Sequence, residues 1–198
     1  RPHFLTSQHP APPAPDGIAR MNMDALSAGK DVIHRHFGPL KPDLVLVLGS
    51  GWDSTTASLE VIRTLRYADI PCLGAASVQG HSGRIVHANA HGRQILVFEG
   101  RRHWYEGLGW EPVVFPAYMA VALKAEALVL TNAAGGIRSD LRPGQIMVID
   151  DHINALGTNP LVGTHIPFWG PRFPDQTEVY DRALRSAFDT AARRLGKE

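Results

Sequence analysis

The chain has little of several kinds of residue, and each shortage excludes a class of protein. Its single cysteine, Cys72, excludes an intrachain disulfide and suits a reducing compartment such as the cytoplasm. A formal net charge of +1 gives no general attraction for nucleic acid or an anionic membrane, so neither is an expected partner. No run of residues is long and apolar enough to cross a bilayer, and the first residues lack the order of a secretory signal.

Several catalytic and cofactor motifs are missing as well. The sequence has no Gly-Lys-Ser/Thr of a phosphate-loop NTPase, no Gly-x-Ser-x-Gly of a nucleophile elbow and no His-Glu-x-x-His of a zinc enzyme. Gly49-Ser50-Gly51 begins like a dinucleotide fingerprint, but Ser54 stands where that fingerprint has Gly or Ala. His34 and His36 are two residues apart on a predicted helix and so do not share a face. We therefore expect no bound metal and no organic cofactor.

The length and composition suit a single folded domain with a mobile arm. Hydrophobic residues make up 44% of the 198 residues, which is ordinary for a globular protein. Residues 1–16 hold a proline-rich tract, and because proline cannot donate to a helix or a sheet, we predict a flexible N-terminal arm there. Residues 17–198 are predicted to form the domain.

The hydrophobic pattern of the domain predicts strands that alternate with helices. Apolar residues recur at helical spacing over residues 17–37, and further helical patterns cover residues 113–124 and 180–195. Four short apolar runs look like strands buried on both faces, at residues 44–48, 94–98, 127–130 and 146–149. Residues 85–88 and 94–98 flank a polar turn and so predict a hairpin. The predicted fold is an α/β three-layer sandwich, a mixed β-sheet flanked by helices.

Three of the predicted strands run directly into loops suited to an anion. The first is followed by Gly49-Ser50-Gly51, the second by the Arg101-Arg102-His103 loop, and the third by small residues that begin at Thr131. Ligands in such sheets gather beyond the carboxyl ends of the strands. Backbone N–H groups, Ser50 and the forked donors of arginine would together hold a phosphate there.

A series of motifs in chain order covers most of the sequence from Leu44 onward. They are Leu48-Gly49-Ser50-Gly51, Gly80-His81-Ser82-Gly83-Arg84, Gly100-Arg101-Arg102-His103-Trp104-Tyr105-Glu106-Gly107, Thr131-Asn132-Ala133-Ala134-Gly135-Gly136-Ile137, Gly144 to Asn154, Gly157-Thr158-Asn159-Pro160-Leu161 and Arg172-Phe173-Pro174. Together they resemble the trimeric purine nucleoside phosphorylase family of the type that prefers 6-oxopurines. Any one of these motifs alone would be unspecific, whereas their order and spacing together are highly specific.

The resemblance implies a glycosyltransferase of nucleoside salvage. Such an enzyme splits purine ribonucleosides or deoxyribonucleosides with phosphate, giving the free base and a pentose 1-phosphate, without a metal or organic cofactor. The residues implied to bind phosphate are Ser50, His81, Arg101, His103 and the backbone of Ala133. His103 and Glu106 are the implied catalytic residues, and Glu106 would help to orient the phosphate.

The resemblance also implies where the nucleoside lies and how subunits assemble. Tyr105 would cover the sugar, and Ala133, Ala134 and Gly135 would line the nucleoside pocket. Trp169 falls where the family has an aromatic residue that reaches into a neighbouring subunit's site. The expected partners are therefore a purine nucleoside, phosphate and two further copies of the chain in a homotrimer.

Two departures from the family pattern leave alternatives open. Family members are roughly a third longer, and the residues that bind the purine lie beyond Glu198 in that pattern, so we expect a domain that is incomplete at its C-terminus. Trp52-Asp53 follows Gly51 where small residues are commoner. A methylthioadenosine phosphorylase on the same fold remains an alternative, and so does a truncated, non-catalytic protein that binds nucleoside or phosphate.

Overall fold

A mixed five-stranded sheet organises the first part of the computed structural model, which describes residues 21–74 and 83–197. Its strands are β1 (Leu44–Leu48), β2 (Glu60–Arg66), β3 (Arg84–Ala90), β4 (Arg93–Glu99) and β5 (Ala127–Leu130). They lie in the order β2-β3-β4-β1-β5. β1 is parallel to β4 and β5, whereas β3 is antiparallel to β2 and β4. The predicted mixed sheet is confirmed, and the predicted N-terminal arm, residues 1–16, lies outside the described residues.

Three α-helices occur in the described ranges: α1 (Met23–Phe37), α2 (Glu111–Ala122) and α3 (Arg182–Arg194). They match the three predicted helical patterns. α1 begins at Asn22, whose side chain accepts a hydrogen bond from the Ala25 N–H, and ends at Gly38 with a φ of 80°. None of the helices in these ranges is long and apolar enough to span a membrane.

The chain divides into two compact units, residues 21–140 and residues 141–197, each of which is described by itself. The first contains the sheet, α1 and α2. The second contains α3 and a long irregular segment in which most side chains are exposed. Its regular structure before α3 is a single short 3₁₀ turn, Pro167–Trp169.

Apolar side chains cover both faces of the sheet. On one face Phe98 of β4 meets Phe115 of α2 edge to face, with ring centroids 6.2 Å apart, and Phe37 of α1 contacts His87 of β3. On the other face Trp52 and Leu59, from the segment that follows β1, pack over a buried cluster made of Leu48, Val86, Ala88, Ile95 and Val97. In residues 21–140 as described, both α-helices therefore lie on the first face.

The predicted hairpin is confirmed as β3 and β4. The two strands are joined at His91 and Gly92, which have φ angles of 52° and 78°. Positive φ at both positions of a two-residue turn matches the right-handed twist of the flanking strands, and glycine adopts it without strain. The Asn89 side chain accepts a hydrogen bond of 3.0 Å from the Gly92 N–H and so closes the turn.

One predicted strand is wrong, and one strand of the structure was missed. Residues 146–149 do not form a strand: Ile146 is 66% exposed, and no strand occurs among residues 141–197 to pair with it. Their apolar composition suggested a buried strand, but a strand also needs a neighbour for its backbone hydrogen bonds. Conversely, β2 was not predicted, because this edge strand exposes charged residues such as Glu60 and Arg63 and has no continuous apolar run.

We expect Gly29→Ala to destabilise residues 21–140. A Cβ at position 29 of α1 would lie 2.7 Å from Cε2 of Phe115 and 2.9 Å from Sγ of Cys72, so the helix must move away. Overpacking of this kind costs about 1–3 kcal/mol. The measurement is the free energy of unfolding in urea.

Ala28→Gly is the matched control, because Ala28 is exposed on the same helix. It isolates the helix propensity that an alanine gains over glycine, about 0.5–1 kcal/mol. A Gly29→Ala variant as stable as the unaltered chain would contradict the close packing of α1 on α2.

Candidate active site

The carboxyl ends of β1, β4 and β5 meet at one edge of the sheet, because these strands are parallel. The residues that follow them are Gly49, Gly100 and Thr131. The structure therefore brings together the three loops that the sequence singled out for an anion. This edge is called the carboxyl edge below.

Thr131 joins the loops of the carboxyl edge. Its hydroxyl accepts a 2.9 Å hydrogen bond from the Gly49 N–H and donates one of 3.1 Å to the Val47 carbonyl. Its own carbonyl accepts a 3.0 Å hydrogen bond from Nη1 of Arg101. One residue thus fixes the end of β1 and the first arginine of the loop after β4.

Gly49 allows this close approach because it has no side chain. A Cβ there would lie 2.9 Å from Cα of Asn132 and closer still to the Thr131 carbonyl and the Arg101 guanidinium. Gly51, two residues on, has a φ of 88°, which a residue with a side chain rarely adopts. Ser50 is exposed on the tight turn between them.

Arg101 is half-buried beside this turn. Burial lowers the pKa of its guanidinium from the ordinary value, because the charged form has lost part of its hydration. Arginine nevertheless stays protonated in proteins. A partly dehydrated cation gains more from an anionic ligand than one in bulk water does, because the local dielectric is lower.

His103 and Tyr105 form an aromatic pair on the same loop. Their rings are stacked, with centroids 4.8 Å apart and planes 11° apart. The phenol ring is 76% exposed, whereas His103 is half-buried. The stack fixes the plane of the imidazole, and the exposed phenol is free to contact a ligand.

A buried carboxylate, Glu99, lies at the carboxyl edge and was not predicted from the sequence. It is 3% exposed and pairs with Arg84, and Thr56 donates a 2.5 Å hydrogen bond to its Oε1. Thr56 belongs to the segment after β1, so this bond ties that segment to β4. The sequence signal for Glu99 was a carboxylate at the end of an apolar strand.

A buried phenol also holds the start of the loop after β4. The Tyr67 hydroxyl donates a 2.6 Å hydrogen bond to the Gly100 carbonyl, and burial raises the pKa of Tyr67, which keeps the phenol protonated as a donor.

Glu106 is held within its own loop. Its Oε2 accepts a 3.0 Å hydrogen bond from Nη1 of Arg102, and its Oε1 accepts one of 2.6 Å from the backbone N–H of His103. These contacts suit a residue that orients its neighbours. That Glu106 takes part in catalysis stays a prediction.

The remaining predicted site residues are distributed as follows. Ala133, Ala134 and Gly135 follow Thr131 and are exposed. Trp169 is half-buried in the separate unit of residues 141–197, where Phe168 meets it edge to face with ring centroids 5.0 Å apart. His81 lies outside the described residues.

No group of histidine, cysteine and acidic side chains suited to a metal ion occurs within residues 21–74 and 83–197. The groups at the carboxyl edge are hydrogen-bond donors of the kind that bind anions. They are backbone N–H groups on a glycine turn, a serine hydroxyl, a half-buried guanidinium and an imidazole.

Comparison with known proteins matches most of the chain to one family. A family model described as the phosphorylase superfamily matches residues 43–198. Purine nucleoside phosphorylase 1 of Geobacillus stearothermophilus is 38% identical over 176 residues, covering 89% of this chain and 64% of the relative. Purine nucleoside phosphorylase 1 of Bacillus subtilis is 41% identical over 157 residues, 79% of this chain and 58% of the relative. The mouse purine nucleoside phosphorylase is 38% identical over 80% of this chain and 56% of the relative.

Solved structures agree with these matches. Isoform 2 of purine nucleoside phosphorylase from Schistosoma mansoni, in complex with cytosine and ribose-1-phosphate, superposes with a TM-score of 0.79 at 32% identity. That match covers 90% of this chain and 63% of the other. The chain therefore spans about 56–64% of the length of the curated relatives it matches.

We expect Thr131→Val to destabilise the carboxyl edge by about 1–3 kcal/mol, because valine keeps the shape but leaves the partly buried Gly49 N–H without its acceptor. Urea unfolding measures the loss. Thr131→Ser is the matched control, since it keeps the hydroxyl and should retain most of the stability. Equal losses in the two variants would show that the hydroxyl does not join the loops.

Proposed function

This chain belongs to the phosphorylase superfamily, and we propose that it acts in the phosphorolysis of purine nucleosides such as inosine and guanosine. The products are the free base and ribose or deoxyribose 1-phosphate, in cytoplasmic nucleoside salvage. The observation that carries the proposal is the convergence of Gly49, Arg101 and Thr131 at the carboxyl edge, with Ser50 and His103 on the same loops. Phosphate is the co-substrate, and the reaction needs no metal or organic cofactor.

The carboxyl edge supplies what this reaction requires on the phosphate side. A phosphate oxygen forms a bond to the anomeric carbon while the bond from that carbon to the purine nitrogen breaks, and the departing base takes up, in net terms, the proton that hydrogen phosphate gives up. Positive charge develops on the sugar in between. A dianion held beneath the sugar by Arg101, Ser50 and His103 both stabilises that charge and attacks it. Donors fixed in advance by their own hydrogen bonds, as Arg101 is by Thr131, lose little energy in reorganising.

The nucleoside would lie over the phosphate. The ring of Tyr105, which is exposed, would cover the sugar, and the small residues Ala133, Ala134 and Gly135 would leave room for a flat ligand next to the backbone. His81 would add a further donor to phosphate, as the family resemblance implies. Glu106 would act on the phosphate through His103, because it accepts a hydrogen bond from the backbone N–H of that residue.

We predict that Arg101→Ala weakens the binding of inorganic phosphate to this chain. Losing a charge-assisted hydrogen bond to a dianion should cost about 1.5–3 kcal/mol, which is roughly a ten- to hundredfold rise in the dissociation constant. Isothermal titration calorimetry with phosphate measures it.

Arg93→Ala is the matched control for Arg101→Ala. Arg93 begins β4 at the opposite edge of the sheet and pairs with Asp43 at 2.8 Å, so its loss should leave phosphate binding unchanged. An unchanged phosphate affinity in Arg101→Ala would refute the assignment.

Release of base from inosine, guanosine and methylthioadenosine under saturating phosphate then tests the substrate class. A preference for methylthioadenosine would favour the related phosphorylase, and binding without turnover would favour a non-catalytic protein.

We also propose a homotrimer in which Trp169 of one subunit reaches its neighbour's nucleoside site. Trp169→Ala should then raise the KM for inosine several-fold and leave the phosphate dependence unchanged. Trp169→Phe is the control, because it keeps an aromatic ring at that position and should leave the KM close to that of the unaltered chain. Sedimentation velocity gives the oligomeric state, and full activity in a monomer would contradict the shared site.

A further inference from the structure

Arg102 is a buried cation on the loop that also carries Arg101 and His103. It is 5% exposed, which is rare for an arginine. Its Nε and Nη2 donate to the Leu73 carbonyl at 2.9 and 2.6 Å, and Nη2 donates to the Gly74 carbonyl at 3.0 Å. The guanidinium thus connects the loop after β4 to the backbone at residues 73–74.

The remaining arm of this guanidinium leads to His103. Nη1 of Arg102 donates to Oε2 of Glu106 at 3.0 Å, and the two side chains are 4% and 7% exposed. The other carboxylate oxygen of Glu106, Oε1, accepts a 2.6 Å hydrogen bond from the backbone N–H of His103. A continuous path of hydrogen bonds therefore runs from the Leu73 carbonyl through Arg102 and Glu106 to the backbone of His103.

The two adjacent arginines point in different directions. Arg101 donates to Thr131 at the carboxyl edge, whereas Arg102 donates to Leu73 and Gly74. These partners lie on different segments of the chain, so the two guanidiniums do not converge on one point in this structure. In the proposed function Arg101 binds phosphate, whereas Arg102 donates its hydrogen bonds to groups inside the protein.

We propose that Arg102 is a positioning residue for phosphate binding, acting through Glu106 to hold His103 in place. The proposal rests on the proposed function, in which His103 binds phosphate. The planar guanidinium of Arg102 donates to two carbonyls and a carboxylate at once, a geometry that the single ammonium of lysine does not reproduce. With Arg102 replaced, the Glu106 carboxylate loses the guanidinium that holds its Oε2, so the acceptor of the His103 backbone N–H is no longer fixed from that side.

A double-mutant cycle between Arg102→Lys and His103→Ala tests the coupling. Phosphate affinity is measured by calorimetry well below the melting temperature, so that loss of folded protein does not contribute. Arg102→Lys alone should raise the phosphate dissociation constant about tenfold, the scale of one misplaced hydrogen bond to an anion. In the His103→Ala background the same change should raise it by less than about twofold, because the residue that it positions is gone. Arg93→Lys, an exposed ion-pair partner, is the control and should have no effect.

Two results would overturn the role of Arg102 while leaving the proposed function intact. In the first, Arg102→Lys lowers the melting temperature but leaves the phosphate affinity unchanged, which is what a purely structural arginine gives. In the second, the loss of affinity is as large without His103 as with it. If Arg102→Lys does not fold, Glu106→Gln takes its place in the cycle, with the same expected results.

Failure of the proposed function gives a different pattern. The unaltered chain would then bind no phosphate, or would bind it equally well with Arg101→Ala. Either result overturns the phosphate site and the role of Arg102 with it. Loss of binding in Arg101→Ala together with normal binding in Arg102→Lys overturns the role of Arg102 alone.

Discussion

The hydrogen bonds of Thr131 are the constraint on which the carboxyl edge depends. They hold the Gly49 N–H and the Arg101 guanidinium to the same residue, at 2.9 and 3.0 Å. Parallel pairing of β1 with its two neighbours brings the strand ends together, but pairing alone does not fix the loops that follow. Thr131 does so through one hydroxyl and one carbonyl. Gly49 is the necessary counterpart, since any side chain there would displace both partners.

The three arginines at this edge differ in the groups with which they pair. Arg84 pairs with the buried Glu99, and Arg102 pairs with Glu106. Arg101 instead donates to a neutral main-chain carbonyl and keeps a half-buried positive charge. Only the Arg102–Glu106 pair is buried on both sides, and removing one partner of such a pair leaves an uncompensated charge, which typically costs about 3–5 kcal/mol. The two pairs hold the segments around Arg101, whose own charge has no acidic partner among these contacts.

Much of the fold was predictable because its signals are local. The runs at residues 44–48, 94–98 and 127–130 are apolar and bounded by turn residues, and each is a strand or most of one. β2 escaped prediction because an edge strand has one solvated side and a mixed pattern. The error at residues 146–149 has the opposite origin, since an apolar run becomes a strand only where another strand is available.

The candidate site was predictable in its residue types but not in its connections. Ser50, Arg101 and His103 stand out in the sequence because each follows an apolar strand closely. The roles of Thr131 and Glu99 depend on contacts 82 and 43 residues away along the chain, which no local pattern specifies. Arg102 shows the same limit, because adjacent arginines look alike in sequence and only the fold shows that Arg102 is buried whereas Arg101 is half-buried at the carboxyl edge.

The turn at His91 and Gly92 has a practical consequence for work on this protein. It is exposed, it is closed by its own Asn89 hydrogen bond, and it lies at the end of the sheet opposite Glu99 and the loops that follow it. A fluorophore or a short peptide tag attached there would sit a full strand length from the Arg101 loop. Because loop tips of this kind accept insertions most readily, the turn is the natural anchoring point for immobilising the chain with its carboxyl edge facing solution.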